Sequence, residues 1–481
     1  MGSESDDTEL SEGLQKESWY TLSMSGKRVG YVHSYLVRDG DVMRHTTVQW
    51  LKIGRLGNEV VMETTNIQEE TLDGKPLFFS TEAAMGQVPT RMQGKIEDGI
   101  IHLKQIQYGV EIDREIPWPK GALMTWGAYL QTKDLQYAEG VKIEQTLFIP
   151  DLSVAKGFLV TSEVVGREEI EWRGEKLNLW KVKSTTHAGS TTVNETMWTD
   201  DKTAYRYLMP MGDIVIEMVL SDSAEALTDF AASEMMVGTM LELENVKGVE
   251  GAQQVIYKIQ VKGDDPTLLD GLFVSNSNQT VLPGRVAGEL LLQVHPLRKP
   301  EQSESAPSHE YLQPTFYLNY EDEAVQKLVK QVADMQKQPV AERARSLTEW
   351  VYNSLEDKNF DTGFATASEV ARSMSGDCTE HAVLLAALGR ALGIPSRCAY
   401  GMALLVEENN DNGWMGFHMW TQFFVDGKWT DYDAALFSLT ESPVRLCMGT
   451  TSMQKDVLSE FSFQIMQVLG LLNVEVIGVV K

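Results

Sequence analysis

At 481 residues, 43% hydrophobic and 23% charged, the chain has the composition of a soluble globular protein and is too long for one ordinary core. Its net charge of −27, from 42 basic and 69 acidic residues, repels phosphate backbones and anionic headgroups, which sets nucleic-acid partners aside. Three cysteines make no disulfide framework, and no apolar run reaches membrane-spanning length.

Residues 1–16 are acidic and polar, and are expected to form a disordered leader. Glu4, Asp6, Asp7 and Glu9 leave no room for the apolar segment of a secretory signal. Residues 17–230 read as a β-rich domain. Period-2 alternation recurs at 42–53, 60–67, 95–106, 172–183 and 213–220. Asp39-Gly40, Asp73-Gly74 and Asp98-Gly99 punctuate it as tight turns. Long meandering strands of this kind are similar to the half-barrels of bacterial envelope proteins, lipoprotein-carrier-like domains among them.

Residues 231–312 are expected to form a second β domain and a linker. Strands are predicted at 254–261 and 289–294, and the segment 298–309, with Pro300 and Pro307, is the best linker candidate. The pattern then turns helical over 313–455. Apolar spacing predicts helices at 321–336 and 340–355, with Ala344, Leu347, Val351 and Leu355 on one stripe. A short helix follows at 367–374. Another runs over 378–392 and stops at Gly393-Ile394-Pro395, a glycine and then a proline beyond the last turn. Strands follow at 397–406, 418–425 and 428–432. Residues 456–481 are expected to add a helix and a strand, the strand over 474–480 being apolar on both faces and therefore buried.

Cys378 lies in Ser375-Gly376-Asp377-Cys378-Thr379-Glu380-His381-Ala382. Gly376 permits a turn that other residues resist. The first turn of a helix presents unpaired N–H groups and a positive dipole end, which favour a thiolate. A thiolate is the nucleophile that acyl transfer needs. The polar neighbours argue against a buried packing cysteine. Cys398 and Cys447 read as packing residues, and could pair although nothing in their spacing demands it.

His418 lies on the strand before Asp426-Gly427. A two-residue turn there pairs 425 with 428 and sets Trp420 opposite Asp433. Side chains alternate, so His418, Trp420 and Asp433 share one face, with Asp433 diagonal to His418 and within reach. A carboxylate beside an imidazole fixes its tautomer and stabilises its protonated form. His381, three residues after Cys378 on the same helical face, is a rival base or a metal ligand. Zinc needs two more ligands, and neither Cys398 nor Cys447 brings a paired motif. Trp414 and Trp420 flank His418 as candidate substrate-binding walls, with an indole N–H that could donate to an oxyanion. The acidic segment 407–412 is either a lid or a solvated connection.

These pieces together resemble the transglutaminase-like superfamily: 376–382, the run Arg390 to Arg397, His418-Met419-Trp420, and Trp429 to Asp433, in that order. The resemblance spans roughly residues 315–450. It implies a papain-like core, an α+β fold within a multidomain chain, and a triad of Cys378, His418 and Asp433. One departure is visible: Ala434 stands where members often carry proline. The expected activity is thioacyl formation on a peptide or carboxamide, followed by hydrolysis or amine transfer. The partner is then a protein or peptide substrate, with no cofactor, no metal and no membrane span. An extracytoplasmic setting in the cell envelope is expected from the company such β modules keep. The competing expectation is a non-enzymatic envelope scaffold or peptide-binding protein that retains the core. Oligomeric state stays open.

Overall fold

A computed structural model describes residues 10–55, 58–84, 90–107, 110–188, 191–234, 240–263, 265–296, 307–355, 365–406, 411–437, 441–454, 465, 468 and 470–481. Strand makes up 51% and helix 18%, so β structure outweighs what an even α+β label implies. The chain divides into two compact units. One comprises residues 1–54 and 59–233, the other 55–58 and 234–481.

In the first unit the strands from Gly13 to Ser221 form one meandering sheet. The first eight follow one another as sheet neighbours out to Val110–Pro117. Six more return from Lys142–Leu147, and Ile214–Ser221 pairs antiparallel with Gly13–Met24. Residues 13–16, placed in the polar leader by composition, already belong to the first strand. Leu14 pairs with Val37 while its side chain stays exposed, so the backbone ladder rather than burial orders this end. One core packs Phe79, Ile101, Leu103, Met124 and Phe148, and Met124 is also the N-cap of the helix Thr125–Thr132. Glu70 anchors that helix. Its buried carboxylate accepts the Trp126 and Gly127 N–H groups at 2.6 and 2.8 Å, two of the donors a helix start leaves unpaired. Burial pushes the Glu70 carboxyl up to about 7 against the pull of these two donors.

The described residues of the second unit form two sheets. The central one orders Leu241–Leu243, Gly413–Val425, Ser396–Val406 and Arg445–Thr451, and Lys428–Tyr432 pairs with Gly413–Val425. The other orders Gln279–Pro283, Glu289–Val294, Gln254–Val261 and Leu472–Val480. Helices Glu323–Val332, Val340–Ser354 and Ala367–Ser373 gather around Cys378–Ala391. Ala382 to Leu388 of that last helix are all buried, as suits a helix packed on every side. Its leucines and valine each contribute about 1.5–3 kcal/mol by leaving water. No described helix is long and apolar enough to cross a membrane.

Residues 231–312, expected as a second β domain, share a core with the central sheet. Val255, Tyr257, Ile259 and Leu292 pack with Met402, Leu404, Met415 and Leu446. The Tyr257 hydroxyl donates to Pro443 O at 2.8 Å within this core. The linker candidate lies outside the described residues up to 306, and so does most of the expected C-terminal helix. The last strand differs from expectation. It is an edge strand that buries Leu472 and Val474 while Ile477 and Val480 stay half exposed. A register shift beside Gly478 accompanies that change.

Candidate active site

The head of the Cys378–Ala391 helix is built by Gly376, Asp377 and Glu380. Gly376 has φ +143°, and a Cβ there would lie 2.4 Å from the Cβ and Cγ of Glu380. Only glycine fits that position. Asp377 is the N-cap and its side chain accepts from Thr379 N at 2.8 Å. Glu380 completes a capping box by accepting from Asp377 N at 3.0 Å. Its other oxygen accepts from Ala365 N at 3.0 Å. Burial, then the Asp377 charge, push the Glu380 carboxyl up to about 8. Cys378 is therefore the first helical residue, and among the described residues none accepts its N–H.

The base stands on Gly413–Val425. The hairpin follows the register of a two-residue turn, with Val425 opposite Lys428 and Thr421 opposite Tyr432. Asp426 and Gly427 take φ +50° and +78°, the conformation that turn requires. Met419, Phe423 and Val425 enter the helical core. Along one edge, Leu241–Leu243 covers 413–415 and Lys428–Tyr432 covers 421–425. Among the described residues, 416–420 have no strand partner on that edge. The helix head comes up to this gap: His418 and the Met419 N–H both act on the Cys378 sulfur and favour its thiolate form.

His418 Nε2 lies 2.8 Å from Asp433 Oδ2, which leaves Nδ1 for the sulfur. Asp433 is fixed from behind, its Oδ1 accepting from Ala435 N at 3.1 Å and Leu436 N at 3.0 Å. Ala434, where proline would stand, leaves this turn intact. Burial is the largest influence on His418 and opposes its charge. The Asp433 carboxylate and Cys378 outweigh it, and the imidazole rises to about 10. For Asp433, burial raises and is outweighed by His418, Arg445 and Leu436 N–H, which hold it down at about 2.

The thiol behaves otherwise than its helix position suggests. Cys378 keeps partial access to solvent, yet burial is the largest influence and raises its pKa. Asp377 adds to the rise, while His418 and Met419 N–H offset part of it. The N-cap carboxylate thus works against the dipole effect that sequence reasoning relied on. Cys398 and Cys447 are buried, and burial pushes both up to about 12.

The other candidates are placed differently. Trp420 is a core residue whose indole N–H donates to Asp431 at 2.8 Å, so it offers neither a substrate wall nor an oxyanion donor. Trp414 lies four residues from His418 on the same strand, about 13 Å along it. His381 is buried and its Nδ1 bonds Asp377 O at 2.6 Å, so the rival base serves the helix start. No cluster that could hold a metal occurs among the described residues. Residues 407–410 of the acidic segment lie outside the description, while Asp411 accepts from Val246 N and Lys247 N.

Sequence reasoning missed Arg445. Its buried guanidinium reaches Asp433 Oδ2 at 3.4 Å and Asp431 Oδ2 at 3.9 Å. No motif marks it, because its partners come from a strand twelve or more residues away.

Residues 326–434 match the transglutaminase-like superfamily. No curated protein matches the sequence. Several solved structures are similar in part, three of them as follows. A β-barrel-like protein of a domain of unknown function from Brucella abortus is 11% identical, with a TM-score of 0.33. The match covers 44% of this chain and 98% of that one. A candidate cysteine protease from Cytophaga hutchinsonii is 15% identical, with a TM-score of 0.27, covering 46% and 83%. A candidate protease from Parabacteroides distasonis is 11% identical, with a TM-score of 0.20, covering 74% and 64%. Similarity this low says nothing of activity.

Proposed function

From the transglutaminase-like core over residues 326–434, we propose that the protein is a cysteine enzyme acting on peptide or carboxamide substrates through a thioacyl intermediate. The observation that carries this reading is the half-buried His418–Asp433 pair at 2.8 Å, with His418 acting on the Cys378 sulfur. Once the coupled Cys378–His418 pair has lost one proton, the Cys378 sulfur attacks the carbonyl carbon while His418 holds the pair's remaining proton. The Cys378 N–H is placed to donate to the oxyanion. Collapse breaks the C–N bond, and His418 delivers its proton to the leaving amine. Water or an amine then attacks the thioester, gives its proton to His418, and releases an acid or a new amide with the thiol restored.

The raised thiol favours a second reading, a scaffold or peptide-binding module with an idle core. One experiment separates them. The protein is incubated with a peptide library, with and without added primary amine, and products are read by mass spectrometry. Cleavage, deamidation or amine incorporation that vanishes in Cys378→Ala supports the enzyme. Full product formation by Cys378→Ala would remove the mechanism.

A further inference from the structure

We infer that Arg445 is a positioning residue which, with Asp431, sets how tightly the Cys378–His418 pair holds its protons. The inference rests on the triad reading above and adds a residue beyond the matched family segment. The side chains of Arg445 and Asp433 are each 1% exposed. One oxygen, Asp433 Oδ2, faces both His418 Nε2 at 2.8 Å and the Arg445 guanidinium at 3.4 Å. Arg445 also donates to Ser442 O at 3.3 Å and faces Asp431 at 3.9 Å. Asp431 is itself held by Trp420 Nε1 at 2.8 Å and Gln422 Nε2 at 2.7 Å.

Charge balance gives the reason. Two buried carboxylates face one guanidinium, so the cluster carries a single net negative charge for His418 to answer. A buried charge without a partner is costly, which favours the imidazolium. Arg445 limits this preference. Without it, two unanswered carboxylates would hold the pair's protons more tightly. Without Asp431, Arg445 would oppose the imidazolium. The other charged or titratable groups facing the pair are Asp377, beside the sulfur, and Glu380, bonded to Asp377, while Tyr257 faces Arg445, and Cys447, near Arg397, faces Asp431. None of these groups is altered in the variants below, so they act as a constant background.

The test needs no known substrate. The rate of Cys378 alkylation by iodoacetamide is measured against pH on the full chain, with mass spectrometry assigning the labelled cysteine. The midpoint reports loss of the first proton from the coupled pair. Arg445→Met is expected to raise the midpoint by about one pH unit or more, and Asp431→Asn to lower it. Arg445→Lys, and the double change Asp431→Asn with Arg445→Met, restore the charge balance and return the midpoint to that of the parent. A merely structural role would lower stability in each variant without opposite shifts. Should Arg445→Met fail to fold, Asp431→Asn and the double variant carry the test. An unmoved midpoint in Asp431→Asn, or a double variant that departs from the parent, would overturn the inference. His418→Ala separates the two readings. If it leaves the midpoint unchanged, the Cys–His reading fails; if it moves the midpoint and the Arg445 and Asp431 variants do not, only the present inference fails.

Discussion

At the scale of single residues, Gly376 and His418 decide whether the sulfur meets a base. A Gly376→Ala change puts a methyl where Glu380 lies, on a backbone of φ +143°. The cost is at least ~2 kcal/mol from strain and overlap. We expect a lowered melting temperature and slower Cys378 alkylation, because the capping box that places the sulfur must shift. Alkylation at the parent rate would show that the box does not set the nucleophile. His418 and Asp433 also link site chemistry to stability. The imidazole, raised to about 10, contributes stability that is full below its unfolded value near 6.5 and is lost as pH rises through about 10. The carboxyl, held at about 2, contributes stability present above its unfolded 3.8 and lost as pH falls through about 2. Much of this arrangement was legible. Asp426-Gly427 announces a two-residue turn, and that turn sets the register that carries the chain toward Asp433 beside His418. Arg445 was not legible, because it depends on contacts between segments that no local spacing encodes; the Trp420 indole bond to Asp431 was within reach of the same hairpin register and was overlooked. The direction of the thiol shift was missed for a related reason: dipole reasoning counts the helix end and omits the carboxylate that caps it.

At the scale of elements, the helix stops and turn signals were readable, while strand burial was not. The Cys378–Ala391 helix ends where Gly393-Ile394-Pro395 says it should, since glycine at φ +77° can leave the helix and proline cannot continue it. The strand Leu472–Val480 shows the opposite case. An apolar run cannot reveal whether it will be central or lie at an edge, and here it lies at an edge. The helix Thr125–Thr132 depends on Glu70, a charge placed fifty-odd residues earlier. Its carboxyl rises from 4.5 to about 7, so the folded state binds the proton more tightly than the unfolded one. Stability of the first unit therefore falls as pH rises from about 4.5 to about 7, by roughly 3 kcal/mol. Glu70→Gln removes this titration. Its melting temperature should vary less between about pH 5 and pH 8 than the parent's. An unchanged slope would mean that Glu70 does not carry that dependence.

At the scale of the whole molecule, the chain falls into two compact units, and all three proposed catalytic residues belong to the second. That unit is completed by its own ends. Residues 241–294 precede the matched core and Leu472–Val480 follows it, yet both share its apolar interior. Removing residues 471–481 exposes Val255, Tyr257 and Ile259 and forfeits Leu472 and Val474, a loss of about 3–6 kcal/mol for those two side chains alone. Since domains are stable by only about 5–15 kcal/mol, we expect the truncated chain to lose the second unit's unfolding transition or to melt well below the parent. A melting profile identical to the parent's would contradict the shared core. Sequence composition separates the helical segment from the β segments. It cannot show that strands from both sides of a linker close one interior, because that depends on packing across 150 or more residues.

The most direct measurement is trapping of the intermediate: the protein is mixed with the peptide library, quenched in acid, and the Cys378 peptide is weighed. The account predicts an acyl adduct on Cys378 that is absent in Cys378→Ala, sharply reduced in His418→Ala, and discharged by water or added amine. Turnover of the same substrates by Cys378→Ala at the parent rate, with no adduct on residue 378 in the parent, would contradict it.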